Sequence, residues 1–270
     1  MTDMPVIEQG NGPPLVLIPG LQGRWEYVRP TVESLAAHFR VLTFSLGEGP
    51  RDGRGGIDAE VERIVSVLDA RRIDRATLCG ISYGGLVATR FAAIHPARTA
   101  ALVVVSAPGP GWHLRPRHQV YARWPRLFGP LFLLETPFRL RRELAATFPN
   151  RADRWRFGRW QLGTILRAPV SPSQMAERAR ALPVSGLVAD CRRISAPTLV
   201  VTGEPALDRV VPVESTMSYA RLIQGAGLFV LERTGHQGTI TRPRAFAAAV
   251  DEFVRGIRPD AGAISRSEVA

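Results

Sequence analysis

Gly80-Ile81-Ser82-Tyr83-Gly84-Gly85 is the stretch that most restricts how this chain folds. It follows a β-like run at residues 76–79 and precedes a helical pattern at 86–94. That is the strand–turn–helix setting in which Gly-x-Ser-x-Gly presents a serine nucleophile. A serine held in so sharp a turn needs neighbours without Cβ, because strand and helix must approach closely. The turn lifts Ser82 Oγ above the sheet, beside free N–H groups of the helix N-terminus that favour a developing negative charge. The competing reading is a glycine-rich turn with a solvated serine, since the bare pattern recurs by chance.

Around this stretch strands alternate with helices. Residues 5–8 and 15–18 read as strands, the second a continuous apolar run of the kind covered on both faces. A glycine-spaced loop at 19–23 leads to a helical pattern from Trp25 to Phe39, and a strand follows at 40–45. A second loop carries Gly47, Gly49, Gly53, Gly55 and Gly56. Then Asp58 to Arg72 reads as an amphipathic helix with Val61, Ile64, Val65 and Leu68 on one face. After the strand at 100–106 the rhythm breaks: residues 107–193 are rich in proline, tryptophan and arginine. It resumes with a strand at 198–202, a helix around 213–224, a strand at 228–231 and a helix at 243–257. The predicted fold is α/β: a mainly parallel central sheet flanked by helices on both faces, with a helical cap inserted between two strands. The predicted organisation is a core domain (1–107 and 194–257), an inserted cap or lid (108–193) and a flexible tail (258–270).

With 270 residues, 45% of them hydrophobic, the chain is long enough to bury a sizeable core. The first residues carry neither a basic segment nor an apolar one, and no run is apolar enough to span a bilayer, so the cytoplasm is the expected location. Cys79 and Cys191 suggest no disulfide framework. Lysine is absent, and the net charge of +11 is concentrated: residues 108–193 hold 16 Arg against 5 Asp and Glu. Either an anionic partner or a face kept soluble by like charge accounts for such a local excess.

A serine hydroxyl needs a base to take its proton and a third group to orient that base. His236 follows a predicted strand, where side chains gather at the C-terminal edge of a parallel sheet, and is the strongest base candidate of five histidines. Asp208, in the loop after strand 198–202, is the chosen orienting acid, with Glu204 and Asp190 as competitors. Metal and nucleotide readings fail: no His/Cys cluster has ligand spacing, and no Gly-x-Gly-x-x-Gly opens a helix. No cofactor is expected.

The Gly80–Gly85 stretch, Gly203…Asp208-Arg209-Val210-Val211-Pro212, Gly235-His236 and Pro19-Gly20-Leu21 together resemble the α/β-hydrolase fold superfamily over residues 5–257. The order Ser82, Asp208, His236 matches that fold. The resemblance implies an oxyanion hole formed by the backbone N–H groups of Tyr83 and Leu21. It also implies a departure, because the family's usual His-Gly is Pro19-Gly20 here, and any loop-bracing by that histidine is lost. Ser82 argues against the dehalogenases and epoxide hydrolases of the superfamily, which usually place Asp there. The expectation is a serine hydrolase cleaving a carboxylic ester or thioester of an apolar acyl or aromatic substrate. The alternatives are a C–C bond hydrolase or cofactor-free perhydrolase on the same triad, or a slow-turnover binding protein.

Gln22, Trp25, Trp112, Trp124, Phe128 and Phe132 are the candidate pocket residues, taken from the loop after the first core strand and from the aromatic-rich insertion. The bland alternative is that the insertion's aromatics pack it onto the main domain with Arg on the wet side. The expected partner is a small apolar molecule, for which an anionic group is compatible with the charge. Specific nucleic-acid binding is not expected, because no recognised module accompanies the arginines, and weak contact with an anionic membrane surface is a further reading.

Overall fold

The computed structural model describes residues 5–47, 56–182 and 185–257. The glycines at 49, 53 and 55 and the tail at 258–270 lie outside the described residues. Seven strands form one sheet: β1 (Val6–Gln9), β2 (Pro14–Ile18), β3 (Arg40–Phe44), β4 (Ala76–Ile81), β5 (Thr99–Val105), β6 (Thr198–Thr202) and β7 (Gly227–Val230). Their order is β1-β3-β2-β4-β5-β6-β7, with β1 antiparallel to β3 and the other pairs parallel.

The apolar runs of these strands divide their side chains between two cores, as the period-two geometry of a strand requires. On one face Val16, Ile18, Leu78, Leu102 and Val104 meet α2 (Ile57–Ala70) and α3 (Tyr83–Ile94) through Val61, Ile64, Leu86 and Phe91. On the other, Leu15, Leu17, Cys79, Val103 and Val201 meet α1 (Arg29–Leu35) and the C-terminal helix (Pro243–Ile257) through Val32, Leu35, Phe246 and Val250. Cys79 is fully buried, and burial holds its thiol protonated, far above the usual range. The pattern from Trp25 to Phe39 divides into a 3-10 turn at Trp25–Val28 followed by α1.

Six helices connect β5 to β6: α4 (Pro116–Arg123), α5 (Pro125–Leu134), α6 (Thr136–Thr147), α7 (Arg151–Arg167), α8 (Pro172–Arg180) and α9 (Leu187–Arg193). Four of them begin with proline in the first turn, where its missing N–H costs nothing and its fixed φ suits the helix. This is why a proline-rich sequence yields short helices here rather than loops. The last two also reach the sheet domain: Ala179 of α8 and Leu187 and Cys191 of α9 are buried in the same core as α3. After β6 come α10 (Val213–Leu222), a short α11 (Gly238–Thr241) and the C-terminal helix, α12.

The insertion's aromatics do not uniformly pack it onto the sheet domain. Trp124, Phe138 and Trp155 are 58%, 72% and 73% exposed, and Leu127 and Leu134 stand out with them. Others pair among themselves: Phe157 lies 5.5 Å from Phe148 and 5.7 Å from Trp160 between ring centroids.

Candidate active site

Ser82 joins β4 to α3 at φ 54 and ψ −116, a positive φ that a residue with a side chain rarely adopts. Strain of this kind costs about 1–3 kcal/mol and persists only where the surroundings enforce it. Here they do. A Cβ on Gly84 would lie 2.3 Å from the Ile18 carbonyl oxygen, and one on Gly80 would lie 2.2 Å from that of Gly84. Strand, turn and helix therefore touch backbone to backbone, and the Ser82 N–H is fixed on the Val105 carbonyl at 2.8 Å.

The loops after β6 and β7 meet in the same way. A Cβ on Gly235 would fall 2.6 Å from the Leu207 carbonyl oxygen, so these loops run in contact and carry Asp208 and His236 together. The Nδ1–H of His236 donates to Asp208 Oδ2 at 3.3 Å. The N–H groups of Val210 and Val211 donate to Asp208 Oδ1 at 2.9 and 3.0 Å, holding the carboxylate in place. The competing acids are engaged elsewhere: Asp190 pairs with Arg90 at 3.0 Å, and Glu204 accepts from the Arg233 N–H at 2.6 Å. Of the other histidines, His38 pairs with Asp251 at 3.1 Å, and His95 packs on Phe91 with ring centroids 5.0 Å apart.

Ser82 and His236 open into one cavity of about 170 Å³, roofed by α4, α5, α6 and α8. A direct hydrogen bond between Ser82 and His236 is not among its contacts, and such bonds often tighten only when substrate is bound. Of the candidate pocket residues, Gln22, Trp112 and Phe132 line the wall, beside Leu21, whereas Trp25, Trp124 and Phe128 do not. After a turn at Gly23 (φ 68), Trp25 opens the 3-10 turn whose Tyr27 Oη donates to the Ala168 carbonyl just beyond α7. Trp124 sits at the α4–α5 junction facing solvent. Phe128 stacks on Tyr121 at 5.4 Å, and it is Tyr121 that reaches the cavity. Pro172, Met175, Ala176 and Ala179 of α8 complete much of the apolar surface.

Tyr83 is the first residue of α3, so its N–H has no intrahelical partner. No backbone carbonyl among the described residues accepts from the Leu21 N–H. The loop carrying Leu21 has a brace that the sequence does not disclose. Arg178 of α8, 7% exposed, donates to the carbonyls of Leu21 at 3.1 Å and Gly47 at 3.0 Å. It occupies the space a Cβ on Gly23 would need, 2.3 Å from Nη1. Arg178 thus ties the loop that carries Leu21 to the insertion.

Glu143 of α6 is the second residue that sequence reasoning missed. It is 1% exposed, accepts from the Gln237 N–H at 2.8 Å, and lies beside His236 and Asp208. Burial pushes its carboxyl up to about 7. Burial also pulls His236 down, but the Asp208 carboxylate and Glu143 outweigh it, leaving the imidazole above its ordinary value. A proton held to higher pH means the free base is lost as pH falls through that raised value. The acid limb of kcat/KM is therefore expected above the ordinary imidazole value of about 6.5. Glu143→Gln keeps an acceptor for the Gln237 N–H but removes the charge, so the limb moves to lower pH. An unchanged limb in a pH–rate profile of that variant would remove Glu143 from the electrostatics of the site.

Among the described residues no group of three or more His, Cys, Asp or Glu could hold a metal ion, and no helix is long and apolar enough to cross a membrane. Comparison with known proteins matches residues 15–249 to the model of the alpha/beta hydrolase family. A 2-hydroxymuconate semialdehyde hydrolase of a Pseudomonas species is 29% identical, over 96% of this chain and 92% of its own. A pimeloyl-[acyl-carrier protein] methyl ester esterase of Nitrosomonas europaea is 27% identical, over 93% and 99%. The enol-lactonase of Burkholderia xenovorans shares the fold with a TM-score of 0.73 at 23% identity, covering 93% of this chain and 96% of that one.

Proposed function

Because the chain belongs to the alpha/beta hydrolase family and is a hydrolase of that fold, we propose that it cleaves a carboxylic ester or thioester of an apolar acyl or aromatic substrate, through an acyl-enzyme on Ser82. The observation that carries this reading is the contact of His236 Nδ1 with Asp208 Oδ2 at 3.3 Å, in a cavity whose wall also holds Ser82. Ser82 Oγ attacks the carbonyl carbon while His236 Nε2 takes its proton. The charge gathering on the carbonyl oxygen is held by the Tyr83 and Leu21 N–H groups, fixed before the reaction begins. Collapse expels the alkoxide or thiolate, which receives the proton from His236. Water then repeats the sequence on the acyl-enzyme, with His236 again as base.

Residues 108–193 supply the lid of this proposal, through α4, α5, α6 and α8 over the cavity. A roof of Leu, Met, Pro and aromatic side chains selects an apolar acyl chain and excludes bulk water from the acyl-enzyme. The Nitrosomonas relative, named for an ester, supports the ester reading. The Pseudomonas relative, named for a semialdehyde, favours keeping a second reading, in which the same three side chains hydrolyse a C–C bond in a diketone.

The two separate by experiment. Purified protein given p-nitrophenyl esters of increasing chain length is expected to release p-nitrophenol, and a rapid quench to show an acyl mass increment on the peptide containing Ser82. Turnover of a vinylogous diketone with no ester turnover would select the second reading. Absence of both, with the protein folded, would remove both.

A further inference from the structure

Among the described residues, the cavity wall that holds Ser82 carries two guanidinium groups, Arg139 and Arg209, and no Asp or Glu. Arg209 lies exposed. Arg139 is half-buried and well fixed: its Cζ lies 4.1 Å from the centroid of the Phe132 ring. Its Nη2 donates to the Phe132 carbonyl at 2.9 Å and to Thr136 Oγ1 at 3.0 Å, and its Nη1 approaches His118 Nε2 at 3.4 Å. All these acceptors are neutral. Among the described residues no carboxylate lies within ion-pair distance of Arg139, and its Nε makes no hydrogen bond. Glu135, four residues earlier, gives its carboxylate to Arg117 and Tyr121 instead.

A cation drawn partly out of water without a carboxylate in direct contact is unfavourable, and burial pulls the Arg139 pKa down, opposed by the more distant charge of Glu135. The same apolar surroundings strengthen its attraction for any anion that enters. His118 beside it is held below its ordinary range by burial and by Arg139, Arg115 and Arg117, which outweigh the one opposing influence, the Glu135 carboxylate, itself paired with Arg117. Arg141 and Arg142, on the same helix, are exposed and lie outside the wall.

Resting on the serine-hydrolase reading above, we propose that Arg139 forms an anion subsite, so that the substrate is an ester whose apolar chain ends in a carboxylate. Ser82 and His236 work at one part of the cavity, the apolar side chains of α5 and α8 receive the methylenes, and Arg139 receives the terminal charge. A planar guanidinium already stacked on a ring loses little freedom when its free Nε–H donates to a carboxylate. The local excess of arginine thereby divides in two: one residue that meets substrate, and exposed residues on the same helix that do not.

The test compares the mono-p-nitrophenyl ester of adipic acid with its neutral isostere, p-nitrophenyl 6-methylheptanoate. Arg139→Gln is expected to lower kcat/KM on the anionic ester by about 10–100-fold and to leave the neutral ester within about 2-fold, as loss of one charge-assisted contact would. The Arg141→Gln/Arg142→Gln double variant should preserve the preference. Equal losses on both esters, or loss on neither, would overturn the subsite. If Arg139→Gln does not fold, inhibition of the wild type decides: adipate must bind at least about 10-fold more tightly than 6-methylheptan-1-ol, or the subsite is wrong. If the wild type turns over neither ester, it is the hydrolase reading that fails. The subsite is then settled separately by calorimetry, since adipate should bind the wild type and not Arg139→Gln.

Discussion

Ser82→Ala lowers kcat/KM on any ester substrate by about 10⁵- to 10⁶-fold, His236→Ala does so to a similar extent, and the double variant is no worse than either. That is the expected result for groups acting as a unit: without a nucleophile the base has no proton to take, and without the base the hydroxyl does not attack. On the mechanism proposed above, the residual rate comes from the Tyr83 and Leu21 N–H groups and from substrate binding, which neither substitution touches. Ser82→Ala keeps the β4–α3 turn, since the φ of 54 is imposed by backbone contacts at Gly80 and Gly84 rather than by the hydroxyl. Circular dichroism and thermal melting should therefore match the wild type. Activity within about 10-fold of wild type in a folded Ser82→Ala protein would end the covalent mechanism.

The parts of this molecule that were legible in the sequence are those where local backbone geometry dictates residue type. A turn as tight as that at Ser82 admits only glycine at the contacts, so position and conformation are written together. The same holds where Gly235 meets Leu207, and the two β-edge loops could be read from their glycines and the charged residues beside them. Doubly covered strands showed as continuous apolar runs, and the break in that rhythm after residue 106 marked the helical insertion.

Residues whose meaning depends on a distant neighbour were not legible. Glu143 stands in Arg141-Arg142-Glu143-Leu144 and reads as one charge on a wet helix; only its contact with Gln237, 94 residues away, reveals a buried carboxyl. Arg178 is one of 16 arginines in the insertion, distinguished by three carbonyls that no spacing rule predicts. The pocket shows the same limit from the other side. Trp124, Leu127, Leu131, Leu134 and Phe138 recur at the three- and four-residue spacing of a buried helical stripe, yet all five are exposed. Periodicity locates an apolar face but not what lies against it.

Asp208→Asn is expected to cost about 10⁴-fold in kcat, less than loss of Ser82 or His236, with KM nearly unchanged. The substitution spares the fold, because an Asn Oδ1 still accepts from the N–H groups of Val210 and Val211. Its amide nitrogen then faces His236 Nδ1, where the carboxylate Oδ2 stood. A donor at that place favours the tautomer with Nδ1 as acceptor and the proton on Nε2, which is the nitrogen that must take the proton from Ser82. Removal of the carboxylate charge also lowers the His236 pKa, so the acid limb should move down together with the loss in rate. Asp208→Ala, by contrast, leaves two backbone N–H groups without their acceptor and should lower the melting temperature as well. If Asp208→Asn kept kcat within about 10-fold of wild type, the orienting charge would have to come from elsewhere. Among the described residues Glu143 is the one other acid whose charge acts on His236, so the Asp208→Asn/Glu143→Gln double variant would then show the full loss.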